Sequence, residues 1–328
     1  MKKILLIMAI FFVFLVEISG ATDFGTAMSI TTINIPASAD VAAMGNADAA
    51  AWSLSSNNPA LTAYELPENK HKSGVNATFG LLHFKKGPAV RFTSDSIGTK
   101  TQYGFFSATV SYFQSGKNST RMGTDLEFRP SKMLELMWAN KIASNWLKQG
   151  DELYLGLELA YSKSKPNFSL RDQRVLRSES TGNDVTVGFL YKPTAKLNIG
   201  GYYGRFLDHS REKDFIFKNS MSGNSISHQF KFGASYQILS KTFVACDVQL
   251  LNIAGKKKSQ LFAGVEQGII KDVLCLYAGA ADGSPTGGLE ISCRRGGIDL
   301  SYTSNASPYA NKYLGRSKLA MVSIFFSF

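Results

Sequence analysis

The residues with the most chemical potential in this chain are few and widely spaced. The four histidines, His71, His83, His209 and His228, stand far apart in sequence. The three cysteines, Cys246, Cys275 and Cys293, form no CxxC pair. Metal centres and disulfide frameworks depend on short, regular spacings that bring several donors to one ion or bond. The cysteines therefore read as small apolar side chains in strands, with a Cys275–Cys293 bridge across neighbouring strands as the alternative. HExxH, P-loop, GxGxxG and GxSxG patterns are all missing, so no metal, cofactor or catalytic residue is expected. The carboxylates Glu158, Asp247, Glu266, Glu290 and Asp299 occupy polar positions of alternating segments. They are expected to line an interior and pair with Lys231 and Arg294 rather than to perform acid–base chemistry.

The elements that hold these residues follow a period of two. In Leu153-Tyr154-Leu155-Gly156-Leu157-Glu158-Leu159-Ala160-Tyr161 every second residue is large and apolar. A helix would scatter those side chains around its surface, whereas a strand collects them on one face. The pattern recurs at Val185 to Tyr191, Phe230 to Tyr236, Val244 to Leu250, Leu261 to Val265, Leu289 to Cys293 and Ile298 to Tyr302. Turn chemistry separates the runs, as at Asn183-Asp184, Asp282-Gly283-Ser284-Pro285 and Gly296-Gly297. About fourteen runs are counted, beginning near residues 72, 86, 101, 131, 151, 183, 196, 226, 241, 258, 272, 287, 297 and 319. Residues 131–148 fit either a strand or an amphipathic helix.

What surrounds the apolar face follows from three features. First, Lys2 and Lys3 precede an apolar run from Ile4 to Val16, and Ser19, Gly20 and Ala21 offer small residues for cleavage. This is the pattern of an export signal over residues 1–21. The run is too short to cross about 30 Å of hydrocarbon as a helix. Second, the polar faces carry Gly, Ser, Thr, Asp and Glu, as a lumen would. Third, the chain ends Ile324-Phe325-Phe326-Ser327-Phe328. An alternating last strand with Phe326 and a terminal Phe328 is read as the assembly signal of a membrane barrel. A mean hydropathy of −0.06 excludes a bundle of membrane helices. The net charge of +11 raises nucleic acid as a partner. No helix carries a basic stripe, however, and Lys256 to Lys258 read as a solvated turn. Nucleic acid is therefore not expected.

The expected fold is all-β: a transmembrane antiparallel up-and-down barrel of about 14 strands, with an even count that closes without edges. Its strands occupy residues 72–328. A small-residue segment, 22–71, precedes them, and Ser38 is a candidate N-cap for short helices between Ser38 and Trp52. That segment contains Ala39-Asp40-Val41-Ala42-Ala43-Met44-Gly45-Asn46-Ala47 and then Asn57-Asn58-Pro59-Ala60-Leu61. Small residues with Met-Gly, followed by Asn-Pro-Ala and an apolar residue, resemble the N-terminal segment of the FadL superfamily, in particular its PorV/PorQ-like branch. The chain departs from that branch before the Met-Gly, where Ala39 or Asp40 stands in place of an arginine. Ser53 to Ser56 likewise replace an acidic pair.

The resemblance implies a location in the bacterial outer membrane, and a helical or irregular plug, the hatch, inside the lumen. It makes Met44, Gly45, Asn46, Asn57, Asn58, Pro59, Ala60 and Leu61 the candidate ligand and plug residues. A plug of small residues suits a lumen too wide for its own side chains to fill. Asn57 and Asn58 are expected to tie it to the wall. Two functions follow as expectations. One is passive uptake of hydrophobic or amphipathic small molecules, with an apolar pocket beside the plug. The other is an accessory or docking barrel for secretion-system proteins, using loops near 114–130, 163–182, 207–225 and 304–318. A sealed structural barrel is a third. In each case the partners include outer-membrane lipids and, during insertion, the barrel-assembly machinery.

Overall fold

The computed structural model describes residues 36, 38–51, 57–64, 73–85, 89–115, 118–119, 124–170, 173–214, 220–253, 256–306 and 316–328. The expected export signal lies outside the described residues, as do Ser53 to Ser56 and His71. Two short helices, α1 (Ala39–Ala43) and α2 (Leu61–Tyr64), precede the strands. The first strands are β1 (Ser73–Phe84), β2 (Val90–Thr101), β3 (Gly104–Ser115) and the two-residue β4 (Asn118–Ser119). Five long strands follow: β5 (Thr124–Ser144), β6 (Glu152–Leu170), β7 (Gln173–Thr194), β8 (Leu197–Asp214) and β9 (Ser220–Leu239). The rest are β10 (Thr242–Ile253), β11 (Lys256–Ile270), β12 (Leu274–Ala281), β13 (Ser284–Cys293), β14 (Gly296–Ser304) and β15 (Ser317–Ser327).

Each long strand pairs antiparallel with its sequence neighbours, β15 pairs with β1, and β3 pairs directly with β5. The ring of fourteen strands is therefore closed, and β4 flanks β5 outside it. At the seam Phe328 N–H donates to Ser73 O at 3.0 Å, and Ser73 N–H donates to Phe328 O at 3.2 Å.

The alternation decides which face meets what. On β6, Leu157, Leu159 and Tyr161 are exposed, while Tyr154 and Ala160 on the other phase are buried. Leu134, Leu136, Val185, Val187, Val248, Leu250, Ile298 and Leu300 are likewise exposed on the outside. A sandwich in water would turn this face inward, because apolar area left in water costs about 25 cal/mol per Å². An outward apolar band around a closed ring is the surface of a membrane-spanning barrel.

β5 to β9 have 18 to 22 residues, against 8 to 15 for the other ring strands. Twenty residues at roughly 3.3 Å each extend about 66 Å, whereas crossing the hydrocarbon takes only about 9–11 residues. This wall therefore projects beyond the membrane at the end opposite the short turns. Three of the expected loops, 114–130, 163–182 and 207–225, are mostly strand. The correction has a simple cause. Outside hydrocarbon nothing imposes the apolar alternation, so a ladder continues through polar sequence that reads as loop. For the same reason Asn183-Asp184 is mid-strand rather than a turn, and Lys256 to Lys258 open β11, where Lys258 pairs with Asp282 at 3.0 Å. The ambiguous segment 131–148 is strand as far as Ser144. The 304–318 segment joins β14 to β15, and its residues 307–315 lie outside the described set.

One short turn is tightly built. Between β5 and β6 the Asp151 carboxylate accepts backbone N–H groups from Trp146, Leu147 and Lys148 at 2.6, 2.8 and 2.9 Å, and the Tyr191 hydroxyl at 2.8 Å. Burial works to raise this carboxyl. The hydrogen bonds outweigh it and hold Asp151 below the ordinary carboxylate value.

Among the described residues, three clusters of buried apolar side chains each join the N-terminal segment to the wall. Ala39 and Ala42 pack with Leu82, Phe84, Phe92, Phe113, Leu319 and Met321. Ala43, Met44, Ala47 and Ala51 pack with Ala245, Phe262, Tyr277 and Ala281. Ala50, Ala60 and Leu61 pack with Tyr154 and Leu190. Residues 38–51 and 57–64 thus lie within the lumen and form its core.

Candidate functional site

The N-terminal segment approaches the wall closely because both sides carry small residues. Gly45 has φ +69°, and a Cβ there would stand 2.7 Å from Ala263 O and from Ala280 N and O. Facing it, a Cβ on Gly279 would come 2.6 Å from Gly45 N. In the same way Gly264 meets the backbone of Met44, Gly200 that of Ala49 and Gly156 that of Pro59-Ala60, while Gly188 lies against the side chains of Asn58 and Pro59. Five strands therefore present a glycine where the N-terminal segment crosses them, and a side chain on either side would push the two apart.

Polar groups lock this contact. Lys231, on the lumen face of β9, is 2% exposed. Its ammonium contacts the Asp48 carboxylate and the Asn46 carbonyl, lies 3.5 Å from Asp247 Oδ2 and sits 4.5 Å above the Phe262 ring. Asp247 Oδ2 also accepts Ala49 N–H at 2.8 Å. Further links are Ala39 N–H to Ser323 Oγ at 2.9 Å, Thr286 Oγ1 to Ala43 O at 2.7 Å and Ser235 Oγ to Ala50 O at 2.8 Å. Two buried carboxylates around one ammonium, each with further donors, form a paired and hydrogen-bonded charge group.

The expected site residues take distinct places. Met44 is buried against the wall, Gly45 occupies the tight contact, and Asn46 has φ 63° with its side-chain oxygen buried and unpartnered. Asn58 ties the segment to the wall, donating from Nδ2 to Phe189 O at 3.0 Å and to Ala49 O at 2.7 Å. Asn57 does not reach the wall. It donates within the segment to Asp48 Oδ2, at 2.7 Å from Nδ2 and 3.2 Å from its backbone N–H. Pro59, Ala60 and Leu61 are packed under β6 and β7. Ser38 stands at the N-cap of α1 without a side-chain capping bond to a helix N–H, its hydroxyl donating to the Asp40 carboxylate instead. Phe326 and Phe328 are exposed. Of the inner carboxylates expected to pair with Lys231 or Arg294, Asp247 alone pairs with Lys231 among the described residues. The cysteines are unbridged.

Beside the segment lies a cavity of about 840 Å³, bordered by Pro36, Asn57 and Thr62. Its size falls within the range of small-molecule sites. It extends to the short-turn end, where Ser73, Gly74, Asp272, Arg294 and Gly296 line it. The lining is mainly apolar, as expected of a pocket beside this segment, with polar groups set into it. Phe92, Phe105, Phe113, Met133, Met137 and Phe206 supply apolar area, and Ser94, Ser96, Ser107, Thr109 and Ser111 supply hydroxyls. Among the described residues six carboxylates, Glu135, Glu158, Asp184, Glu266, Asp272 and Glu290, line it with one basic residue, Arg294. Among the described residues no group of three or more His, Cys, Asp or Glu is arranged to hold a metal ion. Asp48, Thr62 and Glu135 belong to the site although no motif in the sequence marks them.

No protein-family model and no curated protein sequence matches the chain. Solved structures do. The Pseudomonas putida toluene transporter TodX superposes with a TM-score of 0.56 at 10% identity, over 88% of this chain and 96% of that one. The monoaromatic hydrocarbon channel CymD gives 0.52 at 12% identity, over 90% and 95%. A Pseudomonas aeruginosa FadL homologue gives 0.52 at 11%, over 90% and 99%. At these identities the likeness is one of fold, the closed antiparallel barrel that this chain shares with these channels.

Proposed function

We propose that this chain is a bacterial outer-membrane channel through which hydrophobic or amphipathic small molecules pass by diffusion. The observation that carries the reading is the cavity beside the N-terminal segment, enclosed in a ring whose outer face is apolar. A solute leaving water for such a cavity and then for lipid is driven by transfer of its own apolar surface, so no energy source is needed. The fold likeness to hydrocarbon channels supports the same reading. Residues 1–21 act as the export signal, 22–71 as the plug and 72–328 as the barrel, with Phe326 and Phe328 presented to the assembly machinery. The Met44-Gly45 and Asn58-Pro59-Ala60 motifs support a likeness to the PorV/PorQ-like branch. A docking role in secretion has no specific observation in its favour.

The test is uptake of a labelled hydrophobic compound by cells with an intact outer membrane. Cells producing the chain should take it up several-fold faster than cells without it. Equal rates for several compounds of different size would overturn the proposal.

A further inference from the structure

We infer that the cavity takes amphipathic cations, molecules with a protonated or quaternary nitrogen on an apolar body, in preference to fatty acids or other anionic amphiphiles. The inference deepens the channel reading and rests on it. The site is the cavity itself, and its carboxylates decide only the class of ligand.

The chain is strongly basic, with a net charge of +11, yet its cavity is strongly acidic. Several basic residues are held elsewhere. Lys231 is held between Asp48 and Asp247, Lys258 pairs with Asp282, and Lys141 and Lys192 pair with Glu152 near a short turn. Arg294 stands in the turn between β13 and β14, at the rim.

The deeper acids come from adjacent strands. Glu135 on β5 is opposite Ala160 on β6, and Ala160 is opposite Asp184 on β7. Glu158 lies two residues from Ala160 on the same face, so the three carboxyl groups are near neighbours and, when ionised, repel one another. Across the lumen Glu266 and Glu290 form a second acidic patch. The geometry between the acids is apolar. Met133 and Met137 flank Glu135 on its own face, and Phe206 is opposite Asp184.

An anion entering here would meet like charge in a confined space of low dielectric. A cation would relieve the repulsion, and its apolar body would lie against the methionines and phenylalanines, whose polarisable and π faces suit an ammonium group.

The experiment is equilibrium dialysis of the full, folded barrel in nonionic detergent near neutral pH. Three probes share one chain length: decyltrimethylammonium, decanoate and decanol. The expected result is saturable binding of decyltrimethylammonium at least tenfold tighter than decanoate, with decanol between them. In Glu135→Gln/Glu158→Gln the preference should fall at least tenfold while decanol binding stays the same, which also reports that the cavity remains folded. Glu290→Gln alone should give a smaller loss. Decanoate binding as tightly as the ammonium, or a preference unmoved by the double variant, would overturn the inference and leave the channel reading standing. Failure of all three probes to bind would overturn both.

Discussion

Replacing Lys231 with methionine should release the N-terminal segment from the wall without unfolding the barrel. The ammonium is the charge partner of Asp48 and Asp247, both buried. Removing one member of a buried charge group leaves the others uncompensated, at a cost of about 3–5 kcal/mol. With each tenfold worth about 1.4 kcal/mol, the docked state loses roughly two to three and a half decades of population. The strand ladder keeps its backbone hydrogen bonds, since the lysine side chain contributes none of them. Hydrogen exchange followed by mass spectrometry reads the two parts separately. Ala49 N–H, which donates to Asp247, and Asn57 N–H, which donates to Asp48, should lose about a hundredfold or more of protection, with strand amides unchanged. Adding Asp48→Asn and Asp247→Asn to the lysine change removes the stranded charges and should restore part of the protection. Wild-type exchange at Ala49 and Asn57 in the single variant would refute the reasoning, because the lysine would then not hold the segment.

Other outcomes follow from the same geometry. Gly45→Val combines a β-branched residue at positive φ with a Cβ 2.7 Å from three backbone atoms, so it should displace the segment and alter solute uptake, measured as a changed uptake rate in cells. Asp151 is held below the ordinary carboxylate value, so its stabilisation is complete above the unfolded value near 4 and is lost as pH falls through the lower folded value. The difference in melting temperature between the wild type and Asp151→Asn should therefore be constant near neutrality and shrink on acidification. Deleting Phe328 removes both backbone bonds to Ser73 at the seam. The folded, heat-modifiable fraction in the membrane should drop several-fold, and an unchanged fraction would argue against its role in assembly.

Much of the barrel could be read from the chain because lipid enforces a simple rule. Wherever a strand crosses hydrocarbon, one face must be apolar, and the run from Leu153 to Tyr161 shows it plainly. The rule stops at the membrane surface, which is why β7 is found to begin at Gln173 when its pattern starts only near Asn183. The lumen was partly legible. Asp247 and Lys231 stand on adjacent strands in the inward phase, and their pairing follows from the alternation alone. Asp48 joins them across 183 residues of sequence, a contact that only closure of the ring creates. The glycines that receive the plug sit at inward positions of their strands, but nothing local says that a second backbone lies against them. Glu135 was hidden because its segment fits either a strand or a helix, and only the strand puts Met133, Glu135 and Met137 on one face. The cavity's acidity likewise emerges only when several strands are brought around one space.

The most direct test of the central claim is native mass spectrometry of the barrel extracted gently from its own membrane, alongside Ala160→Trp. Ala160 lines the cavity beside Glu135 and Asp184, so an indole there fills the proposed binding space. The account predicts one small amphipathic molecule retained by the wild type and absent from the folded variant. Identical spectra, with only ordinary membrane lipids on both, would contradict it.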